Sequence, residues 1–472
     1  MNLPVDFARS MRDMLKNEYD AFIATYENAP LSALRINTRK SDVREIVRLL
    51  NNNEGAEIPG NIFVPWENSG IYYNDTAVSP DWRDGFLSTA SPGKSPYHAA
   101  GLYYIQEPSA MLPATLLDAD DLSFRVLDLC AAPGGKTTQI ADKMRGRGLL
   151  IANEISSGRA RILSENIERM GVANAVVISA DPKDISERFE GFFDRVLVDA
   201  PCSGEGMFRK RPEVIGEWSL ENVRICAERQ SYILDCAANM LKRGGRLVYS
   251  TCTFNDKEDE GSVNDFLSRH PEFSLEGDVH RIYPHKERGE GHFGAVFVKE
   301  GESFDVRLPK LLQPEKSIRK EEYGPFLDFA RKVLTRDGIR HIFGVDKESE
   351  IAAAGGIFIM FGEQLYYAPG DTPKLKGLKV LRPGLHLGRI IKGRFEPSHA
   401  LALFLAPSDV KITYELMDGY DKYLRGESIN VPAERTVKNG WTLMLISGYS
   451  LGWGKASGAV IKNHYPKGLR KF

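Results

Sequence analysis

Cysteine is scarce. The 472 residues hold five, Cys130, Cys202, Cys226, Cys236 and Cys252, all in the middle third, and no two have C-x-x-C spacing. A disulfide framework and a zinc or dithiol redox motif are therefore excluded. Long apolar runs are lacking too. The longest near the C-terminus, 400–406, falls far short of a bilayer span, and MNLPVDFARSM lacks the apolar core of a signal peptide. The expectation is a cytoplasmic protein with reduced thiols and no membrane attachment. Neither sign of charge dominates: 62 Lys and Arg stand against 64 Asp and Glu, for a net charge of -2. That average conceals an asymmetry. Residues 371–472 carry 17 Lys and Arg against 8 Asp and Glu, so the tail is strongly basic and the remainder acidic. Hydrophobic residues at 42% and charged residues at 27% exclude a fibrous or wholly disordered chain. The length suggests about two to four domains, and there is no internal repeat or low-complexity run.

The first segment reads as a small α+β domain, to about residue 95. Phe7, Met11, Leu15, Tyr19 and Phe22 recur at helical spacing. LSALRINTRK reads as a strand, SDVREIVRLL as a capped helix, and NNNEGAEIPGN and STASPGKSPYH as turns. From about Phe124 strands and helices alternate: FRVLDL, RGLLIANEI, NAVVISA, FFDRVLVDAP, GGRLVYSTC and HFGAVFVKE are the strands. This alternation predicts a doubly wound, mostly parallel α/β sheet, with ligands bound beyond the carboxyl ends of the strands. Residues 306–375 are expected to be a linker and a small α/β domain. Residues 376–472, with short strands and many glycines, are expected to form a basic, mostly β module.

Four motifs fall at strand ends. VLDLCAAPGGKTTQIA, 126–141, runs from strand through a Pro-Gly-Gly turn into a helix, where the backbone can approach a ligand and helix N–H groups stand free. It is not a phosphate-binding Walker loop, because Cys130 occupies the position of that motif's first glycine. Glu154 ends the next strand, 20 residues past Gly134, where a carboxylate is placed for ribose hydroxyls; a helix-start carboxylate beside Ser156 is the plainer alternative. Asp181 stands where an adenine contact would lie, or is only a turn former before Pro182. DAPCSG brings Asp199 and Cys202, and YSTCTFNDKEDE brings Cys252, to two further strand ends. A thiolate facing the crevice is a candidate nucleophile, whereas Cys226 and Cys236 read as helix core. Lys136 is either a partner of the site or a solvated helix lysine.

CAAPGGKT, DAPCSG and STCTFNDKEDE, in this order and spacing, resemble the S-adenosylmethionine-dependent RNA cytosine-5 methyltransferases of the Nol1/Nop2/Sun group. HAAGLYYIQEPSAMLP resembles that group's lead-in, and LGWGKASGAVIKNHYPKGLRKF resembles the PUA-like tail of the bacterial RsmF-type small-subunit rRNA methyltransferases. The resemblance implies an N-terminal RNA-binding domain over 1–95, a Rossmann-like methyltransferase domain over 96–305 and a PUA-like RNA-binding domain over 376–472. It implies that Cys130, Ala131, Ala132, Pro133, Gly134, Gly135 and Lys136 wrap S-adenosylmethionine, with Glu154 on the ribose, Asp181 near the adenine and Asp199 between cofactor and base. Cys252 would be the nucleophile and Cys202 the second thiol, used in product release.

A thiolate on carbon 6 is what makes carbon 5 of cytosine nucleophilic, and Asp199 would serve as an acid or hydrogen-bond partner at N3. Arg209, Lys210 and Arg211, beside Cys202, are placed to hold phosphates at the mouth of the site. In the basic tail Lys455, Lys462 and Lys467 interleave with Trp441, Trp453, His464 and Tyr465. The expected partner is 16S rRNA or an assembling small subunit, with no metal and no obligate protein partner. The competing readings are a tRNA cytosine-5 methyltransferase, a DNA enzyme in which Cys202 attacks, and a non-catalytic assembly factor.

Overall fold

The computed structural model describes residues 1–51, 58, 60–73, 92–121, 123–302 and 309–470. Parts of the turn-rich runs 51–61 and 88–98 and the first residues of the linker 304–320 lie outside the described residues.

The N-terminal sheet has the order β2-β3-β1-β4, formed by β1 (Ala33–Ile36), β2 (Phe63–Val64), β3 (Glu67–Tyr72) and β4 (Tyr103–Gln106). β4 pairs antiparallel with β1, so this unit runs past the boundary read at residue 95. The periodic apolar residues at the start form two helices, Val5–Leu15 and Tyr19–Ala24, broken at Lys16, which has a positive φ. They do not pack on this sheet. Phe7, Met11, Leu15, Tyr19 and Phe22 pack with Phe208, Trp218, Val223, Phe254 and Tyr283. The periodicity identified the buried face but not its partner, which comprises the loops beside Cys202 and Cys252.

The central sheet is built on β5 (Arg125–Asp128), β6 (Leu149–Asn153), β7 (Ala175–Ile178), β8 (Phe193–Asp199) and β9 (Leu241–Thr251), all parallel, in the order β9-β8-β5-β6-β7. β12 (His292–Lys299) lies antiparallel beside β9, and β10 (Phe273–Leu275) and β11 (His280–Ile282) pair with β12. Strands such as LLIAN are buried along their whole length because helices cover both faces. One face packs Leu127, Ile151, Phe189, Phe193 and Leu234, and the other Val126, Ile140, Leu150 and Leu163. This is the doubly wound fold expected, and strand order switches between β5 and β8.

Two further sheets follow. β13 (Gly356–Phe361), β14 (Gln364–Pro369), β16 (Leu385–Ile391) and β17 (Arg394–Pro397) form a four-stranded antiparallel sheet that bridges the boundary read at 375. β15 (Val380–Pro383) leaves this unit and pairs antiparallel with β7, making the central sheet nine-stranded. β18 (Thr413–Glu415), β19 (Ile429–Asn430), β20 (Gly440–Ile446), β21 (Tyr449–Ser457) and β22 (Val460–Asn463) form the last sheet, in the order β18-β20-β21-β22-β19. Among the described residues no helix is long and apolar enough to cross a membrane, and no group of metal-ligating side chains is present.

Candidate active site

Asp199 is the last residue of β8 and pairs in register with Ser250 of β9. Side chains alternate along a strand, so Ser250 and Cys252 emerge on one side, toward Asp199. Ser250 Oγ donates to Asp199 Oδ1 at 2.9 Å, and Lys136 Nζ donates to Asp199 Oδ2 at 2.8 Å. Lys136 is the second residue of the helix Gly135–Lys143 and is nearly buried, so the solvated-lysine alternative does not hold. Burial pushes the Asp199 carboxyl up, but Lys136 and His292 outweigh it and hold the group well below the ordinary carboxylate range. Burial likewise depresses Lys136, and Asp199 more than reverses this. Asp199 is thus an ionised hydrogen-bond acceptor. The protonated-acid role is corrected, because the lysine beside it stabilises the anion.

The Sγ atoms of Cys202 and Cys252 lie 3.3 Å apart, and the Cys252 N–H donates to Cys202 Sγ at 3.4 Å. Two buried carboxylates hold the loops that carry them. Glu205 accepts from Phe254 N and Trp218 Nε1, both at 3.0 Å. Glu258 accepts from Ser203 N at 3.0 Å and Gln230 Nε2 at 2.8 Å. Gly206 N donates to Cys252 O at 2.9 Å, and a Cβ at Gly206 would stand 3.0 Å from that same oxygen. Only glycine permits this approach without a shift. Hydrogen bonding of its S–H to the Cys252 sulfur, with burial, drives the Cys202 thiol well above its usual range, so Cys202 keeps its proton. Burial, reinforced by Asp128 and Asp199, also raises Cys130 and makes it a poor nucleophile. Cys226 and Cys236 are buried in the helix Leu220–Met240, as expected.

A cavity of about 880 Å³ opens beyond the strand ends, lined by Cys130, Glu154, Asp181, Asp199, Cys202 and Cys252 among others. Of the Cys130–Lys136 loop, Cys130 and Ala132 line it. Ala131 is tied to β6 through its N–H to Asn153 O, and Pro133 O accepts from Asn166 Nδ2. Gly134 has φ +110°, and a Cβ there would meet Leu163 at 3.1 Å, while one at Gly135 would meet Gln106 and Tyr104 at 3.3 Å. These two glycines therefore pack the helix start closely against its neighbours. Glu154 accepts from Ser156 N at 2.9 Å and faces Arg159 at 3.4 Å. Asp181 caps the helix Pro182–Arg188 and accepts from Tyr232 Oη at 2.6 Å. Both carboxylates thus have the plainer local role and also face the cavity. These carboxylate acceptors suit the hydroxyls of a ribose.

The three cations after Cys202 divide. Lys210 and Arg211 are exposed, and Arg211 lines the cavity. Arg209 does not face solvent. Its side chain is 7% exposed, donates to Glu290 Oε2 at 2.8 Å and Thr25 O at 2.9 Å, and ties the N-terminal helices to the Cys202 loop. The phosphate role expected for Arg209 is corrected, since its charge is spent on Glu290, which is 0% exposed. Arg209→Ala should cost about 3–5 kcal/mol of stability, the scale for stranding one member of a buried ion pair, read as a lowered denaturant midpoint. Lys455 and Lys462 are exposed and directly opposite each other on β21 and β22, with Lys455 Nζ 5.4 Å from the Trp441 ring centroid; Lys467 is also exposed. Trp453 and Tyr465 are core, whereas Trp441 and His464 are half-buried. Ser250 and His292 were missed from the sequence. The alternation in YSTC was a usable signal for Ser250, and none existed for His292.

Residues 114–298 match the family 16S rRNA methyltransferase RsmB/F. Residues 3–108 match the N-terminal domain of 16S rRNA methyltransferase RsmF, 346–405 the RsmF rRNA methyltransferase first C-terminal domain, and 418–471 the methyltransferase RsmF PUA domain. Ribosomal RNA small subunit methyltransferase F of Erwinia tasmaniensis is 31% identical over 497 residues, covering 99% of this chain and 96% of that protein. Its counterpart from Shewanella piezotolerans is 32% identical over 464 residues, covering 95% and 93%. Among solved structures, a methyltransferase homolog protein from Pyrococcus horikoshii is 27% identical with a TM-score of 0.52, covering 62% of this chain and 94% of that one.

Proposed function

We propose a carbon-5 reaction on cytosine for this chain, which belongs to the 16S rRNA methyltransferase RsmB/F family and is therefore a methyltransferase of small-subunit ribosomal RNA. The observation that carries the reading is the pair of sulfurs 3.3 Å apart beside an ionised aspartate, all lining one cavity. S-adenosylmethionine, when bound, supplies a methyl group made electrophilic by its sulfonium. Cys130 and Ala132 would border it, Glu154 would accept from the ribose hydroxyls and Asp181 would serve the adenine side.

The target base leaves its stack to enter the cavity. Cys252 adds its sulfur to carbon 6: the S–C6 bond forms and the ring electrons move so that carbon 5 becomes nucleophilic. Cys202, still protonated, donates its S–H to the Cys252 sulfur before attack. The Asp199 carboxylate accepts from the exocyclic amino group of the base, and Lys136 balances its charge. Once carbon 5 carries its methyl group, its proton must leave before the S–C6 bond can break. With Cys252 bonded to carbon 6, Cys202 releases its own proton to solvent in the cavity and its sulfur then takes the carbon-5 proton; the C5–H electrons re-form the C5–C6 double bond as the S–C6 bond breaks. Flipped bases and backbone are the usual handles on RNA. Lys210 and Arg211 at the mouth, Lys455 and Lys462 on the last sheet, and Lys467 in the turn beyond it hold phosphates. The like-charged pair Lys455 and Lys462 is costly in a bare sheet and is offset by an anion. Free thiols throughout fit a cytoplasmic setting.

The test is bisulfite sequencing of 16S rRNA from cells lacking the protein, with purified enzyme and cofactor added back. The expected result is one or more protected cytosines that are lost with the gene and return on addition. Protection that is unchanged by deletion and by addition overturns the reading.

A further inference from the structure

We infer that His292 is a positioning residue for the methyl-transfer reaction, orienting the Asp199 carboxylate through its Nε2–H. The inference rests on the reading of Asp199 proposed above. His292 begins β12 and is 2% exposed. The neighbouring register pair is Phe293 with Thr251, so the imidazole stands beside the Cys252 end of β9. Neither ring nitrogen has a hydrogen-bond partner, and Nε2 lies 3.6 Å from Asp199 Oδ1. An orphaned polar group in the interior costs free energy, and that oxygen is an acceptor just beyond hydrogen-bond reach. A movement of the carboxylate by about 0.6 Å brings the pair to ordinary hydrogen-bond length.

The other contacts on Asp199 leave a role for this one. Lys136 holds Oδ2 and Ser250 holds Oδ1 from the β9 side. A base that takes up Oδ2 must share it with Lys136, which loosens the present arrangement. A second donor on Oδ1 then holds that oxygen and the carboxylate plane in place while Oδ2 is shared between Lys136 and the base. Three charged groups face the ring: Asp199 on β8, Lys136 on the helix Gly135–Lys143, and Glu107 just past β4. Burial and then Lys136 lower the imidazole below its usual range, so the ring is neutral and carries one N–H to give. Because a neutral ring adds no charge, it can orient the aspartate without changing the balance set by Lys136.

The test uses the full-length enzyme on 16S rRNA. His292→Phe removes both nitrogens and should lower kcat roughly 10–100-fold, the usual weight of a partner that orients a working group. KM for RNA and for S-adenosylmethionine should change little. His292→Gln can place an amide donor near the Nε2 position and should recover most of kcat, whereas His292→Asn, which mimics Nδ1, should not. Against an Asp199→Asn background His292→Phe should add almost no further loss, because the partner through which it acts is gone. An undiminished kcat in His292→Phe overturns the inference, as does equal rescue by Asn and Gln or a full additive loss on Asp199→Asn. If His292→Phe fails to fold, the Gln and Asn pair decides alone. Failure of the underlying reading looks different: the unmutated enzyme would leave no 5-methylcytosine.

Discussion

Cys252→Ala is expected to abolish methylation of 16S rRNA. The loss in kcat should be on the order of a million-fold, as when a covalent catalyst loses its nucleophile. No other sulfur can take over. Cys130 is half-buried and its thiol is held neutral, and Cys226 and Cys236 point into helix packing. Cys202 lies 3.3 Å away on the other loop, so carbon 6 placed for one sulfur is misplaced for the other by about the distance that separates near-attack geometry from none. Fold and RNA affinity should survive, because the Cys252 backbone, not its thiol, carries the bond to Gly206. Methyl incorporation from labelled S-adenosylmethionine measures the loss. A denaturing gel should show no RNA-linked protein.

Cys202→Ala should give the opposite picture on the gel. Attack by Cys252 and methylation at carbon 5 still proceed, but the base that removes the carbon-5 proton is missing. Protein should therefore accumulate as an RNA adduct stable to denaturant, about one RNA per enzyme molecule, while multiple turnover falls by a factor of about 100 to 10,000, the range for loss of a general base. The interaction with Cys252 raises Cys202 first and burial second, so Cys202 is prepared for proton chemistry and Cys252 for bond formation. Adduct in Cys252→Ala and none in Cys202→Ala would exchange the two roles, as in the DNA-type alternative.

The strand ends carrying Asp199, Cys202 and Cys252 were legible because a buried strand followed by a short polar motif leaves few places for those side chains. The charge state of Asp199 was not legible. It depends on Lys136, which comes from a different strand end and reaches it only in the folded sheet. Arg209, Lys210 and Arg211 looked alike as three consecutive cations. Only tertiary structure shows that the first turns inward to Glu290 and the N-terminal segment, while the next two face solvent. The boundaries read at 95 and 375 fall inside sheets: β4, past residue 95, pairs with β1, and β16, past residue 375, pairs with β14, because composition does not shift where hydrogen bonding does. His292 is separated from Asp199 by three strands and two α-helices in sequence, and its role follows from a 3.6 Å gap.

β15 also changes what the catalytic unit can be on its own. It covers β7, which would otherwise end the row of parallel strands with its amide and carbonyl groups unpaired. A fragment stopping near residue 300 would present that bare rim to any second molecule, an open template for intermolecular β-pairing and aggregation. The segment carrying β15 thus also caps the sheet, and trimming it away is expected to leave a protein prone to stick to its own copies.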